Sequence, residues 1–259
     1  MTASKVECFF NTTKQLANLA FGGLNHLLWP AVCNCCSRSI PETGNGLCQD
    51  CWQELLRCSG GDYCTRCGRD ASRYSTIDTG CANCQNTEID FDGIARGGVY
   101  DGILRDMILD FKFSGRTELD SQLCLLVNSA LQGRSFRNEI DIFVPVPLHW
   151  RRKIQRGYNQ SLILCKGLDP QAAKINTDLV RIRHTERQWH LSLKKRKSNV
   201  AGAFAVRKRH NFSGRNICLV DDITTTWATL NECARTLKNA GASKIFAVVG
   251  AVAMQEMGI

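Results

Sequence analysis

Between residues 104 and 111 the apolar positions fall at Leu104, Met107, Ile108 and Phe111, the spacing of one helix face, with Asp101 placed to open the helix. Just upstream, GIARGGVY (93–100) has the length and composition of a strand. The same exchange of period recurs downstream. IDIFVPVP (140–147) predicts a strand closed by Pro145 and Pro147, NQSLILCKGL (159–168) a helix, and NICLV (216–220) a continuous apolar strand. ATLNECARTLKNAG (228–241) predicts a helix ended by Gly241, and KIFAVVGAVA (244–253) another strand. Alternating strands and helices of this kind argue for βαβ units on a parallel sheet, an α/β fold.

The first third reads differently. Leu16, Leu19, Ala20, Leu24, Leu27 and Leu28 recur at helical spacing over 14–28 and predict a short amphipathic helix. From Cys33 to Cys84 the large apolar residues are too few for an independent core, so something other than hydrophobic burial must hold that stretch together. Cys33/Cys36, Cys48/Cys51, Cys64/Cys67 and Cys81/Cys84 each enclose two residues, the spacing that lets both sulfurs of a tight turn face one metal. Eleven residues separate the first two pairs and thirteen the last two. Two four-cysteine sites follow, joining pairs one with two and three with four, or crossed, one with three and two with four. Four thiolates leave no open coordination position, so the implied zinc is structural. Four pairs in series also disfavour a dithiol switch.

Of the 15 cysteines these eight are the patterned ones, which favours metal over disulfides and a reducing, cytoplasmic setting. The opening thirty residues lack a basic n-region and an uninterrupted apolar core, so no signal peptide is expected. IFAVVGAVAM, from Ile245, is the longest apolar run and is too short to span a bilayer. The expected division is an N-terminal helix over 1–30, a double zinc module over 31–90 and an α/β domain over 91–259. Charge is concentrated: of a net +9, residues 181–215 hold eleven Lys and Arg against the single acid Glu186, which points to an anionic partner, nucleic acid or phosphate.

LVDDITTTWAT (219–229) carries the chemistry. Ligands of open α/β sheets bind beyond the carboxyl ends of strands, and a strand-to-helix turn offers N–H groups and a helix dipole to a phosphate. Thr224, Thr225, Thr226 and Thr229 add hydroxyl donors, while Asp221 and Asp222 suit ribose hydroxyls or a bridging Mg²⁺. An ordinary turn with an acid pair and a threonine cap is the alternative on residue chemistry alone.

ICLVDDITTTWATL resembles the phosphoribosyl pyrophosphate (PRPP) loop of type I phosphoribosyltransferases. Together with VPVPLHWRRKIQRGYNQ (144–160), RHTERQWHLSLKKRKSNVAGAF (183–204) and the preceding cysteine array, in this order, it is similar to the ComF/GntX family from about Leu24 onward. The resemblance implies a mostly parallel sheet of the type I phosphoribosyltransferase kind behind a small N-terminal double zinc ribbon. It also implies a part in handling single-stranded DNA during natural transformation, alongside other competence proteins. By motif, Asp221 and Asp222 would contact ribose hydroxyls, and Thr225, Thr226, Ala228 and Thr229 the 5-phosphate. Arg151, Arg152 and Arg156 fall where such folds carry a pyrophosphate loop, and 185–199 corresponds to the mobile loop. Mg²⁺ would accompany PRPP.

One departure from the family pattern stands out: Trp227 replaces a glycine. The indole would either weaken phosphate binding or offer a stacking face to a base. Arg187, Lys194, Lys195, Arg196 and Lys197 surround Trp189, a mix of charge and ring suited to single-stranded DNA, where each stacked base contributes about 1–3 kcal/mol. No acceptor pocket is evident. The expected function is therefore a PRPP-binding competence accessory acting on single-stranded DNA in DNA uptake, with an active Mg²⁺-dependent phosphoribosyltransferase of unknown acceptor as the alternative. An adaptor with an inert second domain is a third reading.

Overall fold

A computed structural model describes residues 30–41, 46–72, 76–77, 80–82, 84–85, 87–168, 173–185 and 198–254. The helix expected over 14–28 and the basic stretch 186–197 lie outside them. The chain forms two compact units, Met1–Gln53 and Glu54–Ile259. In the first, Val32 and Ser39 make an antiparallel bridge around the first cysteine pair. The elements run α1 (Gln49–Ser59), β1 (Thr76–Ile77), β2 (Gly80–Cys81), β3 (Gly93–Val99), α2 (Gly102–Phe113) and α3 (Asp120–Gln132). They continue with β4 (Ile142–Pro145), α4 (Trp150–Arg156), α5 (Gln160–Lys166), β5 (Lys174–Ile175), β6 (Leu179–Arg181), β7 (Phe204–Val206), β8 (Ile217–Thr224), α6 (Ala228–Asn239) and β9 (Ile245–Val252).

Five strands form one parallel sheet in the order β3-β9-β8-β4-β5. All eight residues of β9 are buried, as a parallel strand covered on both faces requires, which is why its sequence is a continuous apolar run. Helices α3 and α5 cover one face, where Phe136 stacks on Phe246 at 4.4 Å between centroids. Helix α6 covers the other, placing Leu230, Ala234 and Leu237 against Leu219, Ala247 and Val249. In α2 the predicted face holds, since Leu104, Met107, Ile108 and Phe111 are all buried.

Two local expectations change. The strand expected to stop at Val220 continues to Thr224, because β9 runs alongside to Val252 and pairs with Asp221, Ile223 and Thr224. Ladder hydrogen bonding with a fully buried neighbour outweighs the cost of bringing two carboxylates into the strand. Similarly, the segment carrying Arg151, Arg152 and Arg156, expected as a loop, is the short helix α4, capped by His149 and ended by Gly157 at φ 80°.

Neighbouring strands β4 and β8 send their chains in opposite directions, one toward β5 at the edge and the other toward β9. The crevice beyond their carboxyl ends is therefore the topological switch point of the sheet. On the far side of β9, Gly98 of β3 has no room for a side chain: a Cβ there would meet the Cys58 carbonyl at 2.6 Å and Leu104 at 2.7 Å. Gly98→Ala should lower stability by about 1–3 kcal/mol, the usual cost of overpacking, read as a drop in the chemical-denaturation midpoint at unchanged slope.

Candidate functional site

The cysteines assemble as two tetrads, Cys33, Cys36, Cys48 and Cys51 in the smaller unit and Cys64, Cys67, Cys81 and Cys84 in the larger. This is the consecutive pairing; the crossed one does not occur. Sulfur–sulfur separations are 3.6 Å for Cys36–Cys48, 3.7 Å for Cys67–Cys81 and 3.8 Å for Cys64–Cys84 and Cys81–Cys84. A tetrahedron with arms of about 2.3 Å has edges of about 3.8 Å, so these sulfurs stand where zinc needs them and far outside disulfide range. Backbone N–H groups of Cys35 and Cys48 point at the Cys33 sulfur at 3.5 and 3.2 Å. Burial opposes ionisation of that thiol, yet these amides, with that of Cys36, outweigh it and bring it down to about 6. The tetrads fit two structural zinc ions.

At the switch point the two acids take different partners, as successive residues of a strand must. Asp222 is buried, and its Oδ1 meets Lys112 Nζ of α2 at 2.9 Å, with the two side chains only 10% and 13% exposed. Asp221 is half-buried; its Oδ1 accepts from the Ser161 hydroxyl of α5 at 2.9 Å and from the Asp222 amide at 3.0 Å. Each carboxylate thus ties one oxygen to the scaffold, and among the described residues neither Oδ2 has a partner. Burial and then the neighbouring charge of Asp222 push Asp221 up to about 7, against the pull of Lys112, Ser161 and the Asp222 amide.

Beyond Thr224 the chain turns sharply into α6. Among the described residues the N–H groups of Thr226, Trp227 and Ala228 make no hydrogen bond, and the buried Thr226 hydroxyl has no partner. Three successive donors and a hydroxyl at a helix N-terminus form an anion cradle. Trp227 shapes it by standing in the left-handed region at φ 56°, a conformation that glycine adopts without steric cost. For a bulky residue that costs about 1–2 kcal/mol. Its indole offsets the cost elsewhere: the side chain is 4% exposed, in one apolar cluster with the four cysteines of the second tetrad. The ring nitrogen donates to the Cys67 carbonyl at 2.8 Å, and the Arg69 guanidinium lies 4.4 Å from the ring centroid. Burying an aromatic side chain of this size is worth about 4–5 kcal/mol, which exceeds the backbone strain. The ring is therefore enclosed by the second ribbon and is not presented as a stacking face for a base.

Around α4, Arg152 donates to the Thr185 carbonyl at 2.7 Å, and Arg156 reaches Gln160 at 3.3 Å while lying 4.8 Å from the Phe113 ring centroid. Arg151 lies exposed over the ring of Trp150. Arg181, one of the eleven bases counted over 181–215, has its guanidinium on the Thr185 hydroxyl, with burial lowering its pKa.

The structure thus gathers Asp221, Asp222 and the turn at Thr225, Thr226, Ala228 and Thr229 at the end of β8, and sets Arg151, Arg152 and Arg156 on the helix after β4. Arg187, Trp189, Lys194, Lys195, Arg196 and Lys197 lie outside the described residues. Lys112 and Ser161 were not anticipated. Each belongs to an amphipathic helix and carries no local signal; only the fold brings it to the acids. Trp150, 59% exposed, was also missed, although it sits directly beside the arginines.

Fold and site together define the class: an α/β domain built on a parallel sheet, preceded in the chain by a cysteine-rich zinc-ribbon module. A family model described as a double zinc ribbon domain matches residues 24–86. Competence protein F of Haemophilus influenzae is 31% identical over 219 residues, 82% of this chain and 93% of that protein. DNA utilization protein YhgH of Escherichia coli K12 is 31% identical over 83% of this chain and 94% of its own length. Competence protein ComFC of Bacillus subtilis is 25% identical over 87% and 95%. Among solved structures, a hypoxanthine phosphoribosyltransferase from Staphylococcus aureus shares 11% identity over 54% of this chain and 68% of that one, at a TM-score of 0.33. The chain belongs to the competence protein F family.

A carboxyl whose pKa is raised on folding contributes stability that is full below its unfolded value near 3.8 and lost as pH rises through about 7. Asp221→Asn removes that dependence while leaving the cysteines unchanged. The melting temperature of Asp221→Asn relative to the parent should therefore climb between pH 5 and 7.5 and level off above, as followed by calorimetry.

Proposed function

We propose that the chain binds a ribose 5-phosphate ligand of the PRPP type at the carboxyl end of β8 and serves, as a cytosolic accessory, in the handling of single-stranded DNA during competence. One observation carries this reading: the two unpartnered carboxylate oxygens of Asp221 and Asp222 stand at the start of a turn whose N–H groups at Thr226, Trp227 and Ala228 are unpartnered among the described residues. Acceptors followed by donors match a sugar that offers hydroxyls at one end and a phosphate at the other. In this reading Thr225, Thr226, Ala228 and Thr229 receive the 5-phosphate, Asp221 and Asp222 accept from the ribose hydroxyls, and Arg151, Arg152 and Arg156 face the pyrophosphate. Mg²⁺, when bound, supplies further charge neutralisation for that pyrophosphate. Lys112 pairs with one oxygen of Asp222 at 2.9 Å, which holds the carboxylate in place and leaves its other oxygen to face the ligand.

For the nucleic-acid half, Arg187, Trp189 and Lys194 to Lys197 supply charge and a ring, and the exposed Trp150 with Arg151 beside it extends the same chemistry on α4. The names of the relatives, competence protein F and DNA utilization protein, agree with that role.

Titration calorimetry with PRPP in the presence and absence of Mg²⁺ tests the reading. Affinity should need Mg²⁺, rise with pH toward 7 as Asp221 ionises, and fall at least tenfold in Asp221→Asn, the scale of about 1.4 kcal/mol for a lost charged acceptor. Absence of any heat with PRPP and Mg²⁺ would overturn it. Stoichiometric pyrophosphate release with single-stranded DNA or a nucleobase would instead establish the transferase.

A further inference from the structure

We infer that Trp227 is a positioning residue through which the second cysteine tetrad sets the shape of the phosphate-cradling turn. The inference deepens the PRPP reading and rests on it for the turn's ligand, although the coupling stands on geometry of its own. Trp227 is one residue from the donors on either side of it, and its own N–H is one of the three. The carbonyl that accepts its indole proton belongs to Cys67, a tetrad ligand. The indole of Trp227 itself spans from the turn to the tetrad.

That carbonyl is held by the knuckle 64–69, which closes on itself through Gly68 N–H to the Cys64 carbonyl at 2.7 Å and Cys64 N–H to the Arg69 carbonyl at 3.0 Å. The knuckle is fastened to the sheet as well. Ile94 N–H donates to the Thr65 carbonyl at 2.8 Å, and Arg96, 2% exposed inside β3, donates to the Gly68 carbonyl at 2.7 Å and pairs with Asp70. Gly68 lies so close to the sheet that a Cβ would stand 2.9 Å from Val252, the β9 residue paired with Thr224 at the end of β8. A knuckle of this kind depends on its metal for its fold. When the metal leaves, Cys67 moves, and Trp227 loses the partner that offsets its left-handed backbone. The turn then relaxes toward the right-handed region that a tryptophan prefers, and the three N–H groups cease to converge.

The placement explains why a tryptophan can stand where the family pattern has glycine. Glycine adopts the turn unaided. Tryptophan adopts it only while the ribbon grips its ring, so the substitution converts a freely formed cradle into one that reports the state of the second metal site. The first tetrad, in the other unit, provides an internal control.

Backbone amide resonances of Thr226, Trp227 and Ala228 in the full chain, followed alongside PRPP affinity with Mg²⁺, test this. Cys81→Ser should displace the three resonances and weaken PRPP about tenfold, while Cys36→Ser should change neither. In a Trp227→Gly background the Cys81→Ser effect on affinity should vanish, since glycine needs no tether. A Cys81→Ser chain with an otherwise native amide spectrum and unmoved turn resonances would overturn the coupling. Should Cys81→Ser unfold the larger unit, Trp227→Phe decides: it keeps an aromatic ring at the position while removing the donor to Cys67, so the same resonances should shift in the same direction, and unmoved resonances would refute it. If the resonances move while the parent chain fails to bind PRPP, the coupling stands and the ligand reading falls.

Discussion

A tryptophan in left-handed backbone survives only where something outside the turn holds its ring, and in this protein the holder is a metal knuckle. The hydrogen bond from the Trp227 indole to the Cys67 carbonyl at 2.8 Å joins the second cysteine tetrad to the turn proposed to cradle a phosphate. Because the ring is buried among the second tetrad's cysteines, the backbone at residues 226–228 is left with its donors unpaired among the described residues. A turn without such an anchor would settle by satisfying its own amides. The sugar-binding reading needs the opposite, and the anchor supplies it.

The second tetrad accordingly acts as core. Cys64, Cys67, Cys81 and Cys84 belong to the same apolar cluster as Ile94, Leu219 and Val249 of the sheet, so coordination there substitutes for hydrophobic volume that the sequence between Cys64 and Cys84 lacks. Metal binding on the order of 10 kcal/mol is ample for that substitution. Glycines mark the close approaches around it: a Cβ on Gly97 would stand 2.6 Å from the Gly250 carbonyl oxygen, and one on Gly250 2.7 Å from that of Asp222, so the acid-bearing end of β8 packs against its neighbour only because no side chain intervenes. The rigidity of the acid pair is thus a property of the sheet, and the geometry of the turn a property of the ribbon.

Much of this was legible in the sequence, and unevenly. The helix face of Leu104, Met107, Ile108 and Phe111 and the buried strand from Ile245 announced themselves because their periods match what they pack against. The CxxC spacing announced two metal sites, although only the fold chose consecutive over crossed pairing. Helix α3 was passed over: its apolar stripe is narrow, and the buried Gln122 lies within it. The end of β8 was misplaced because two aspartates look like a strand's end until the partner strand is known to continue. Lys112, Ser161 and the Cys67 carbonyl could not be found at all from local pattern, since they are 110, 60 and 160 positions away from the residues they serve. The conformation of Trp227 could be posed as a question, but its answer lay in a contact that no linear reading contains.

The account is tested most directly by a crystal structure of the zinc-loaded chain with PRPP and Mg²⁺. It predicts a phosphate within hydrogen-bonding distance of the Thr226, Trp227 and Ala228 amides while the indole still donates to Cys67, so that anchor and ligand coexist. A phosphate bound elsewhere, or an indole expelled from the ribbon to admit it, would contradict the claim that one turn is held from behind by metal and open in front to a sugar.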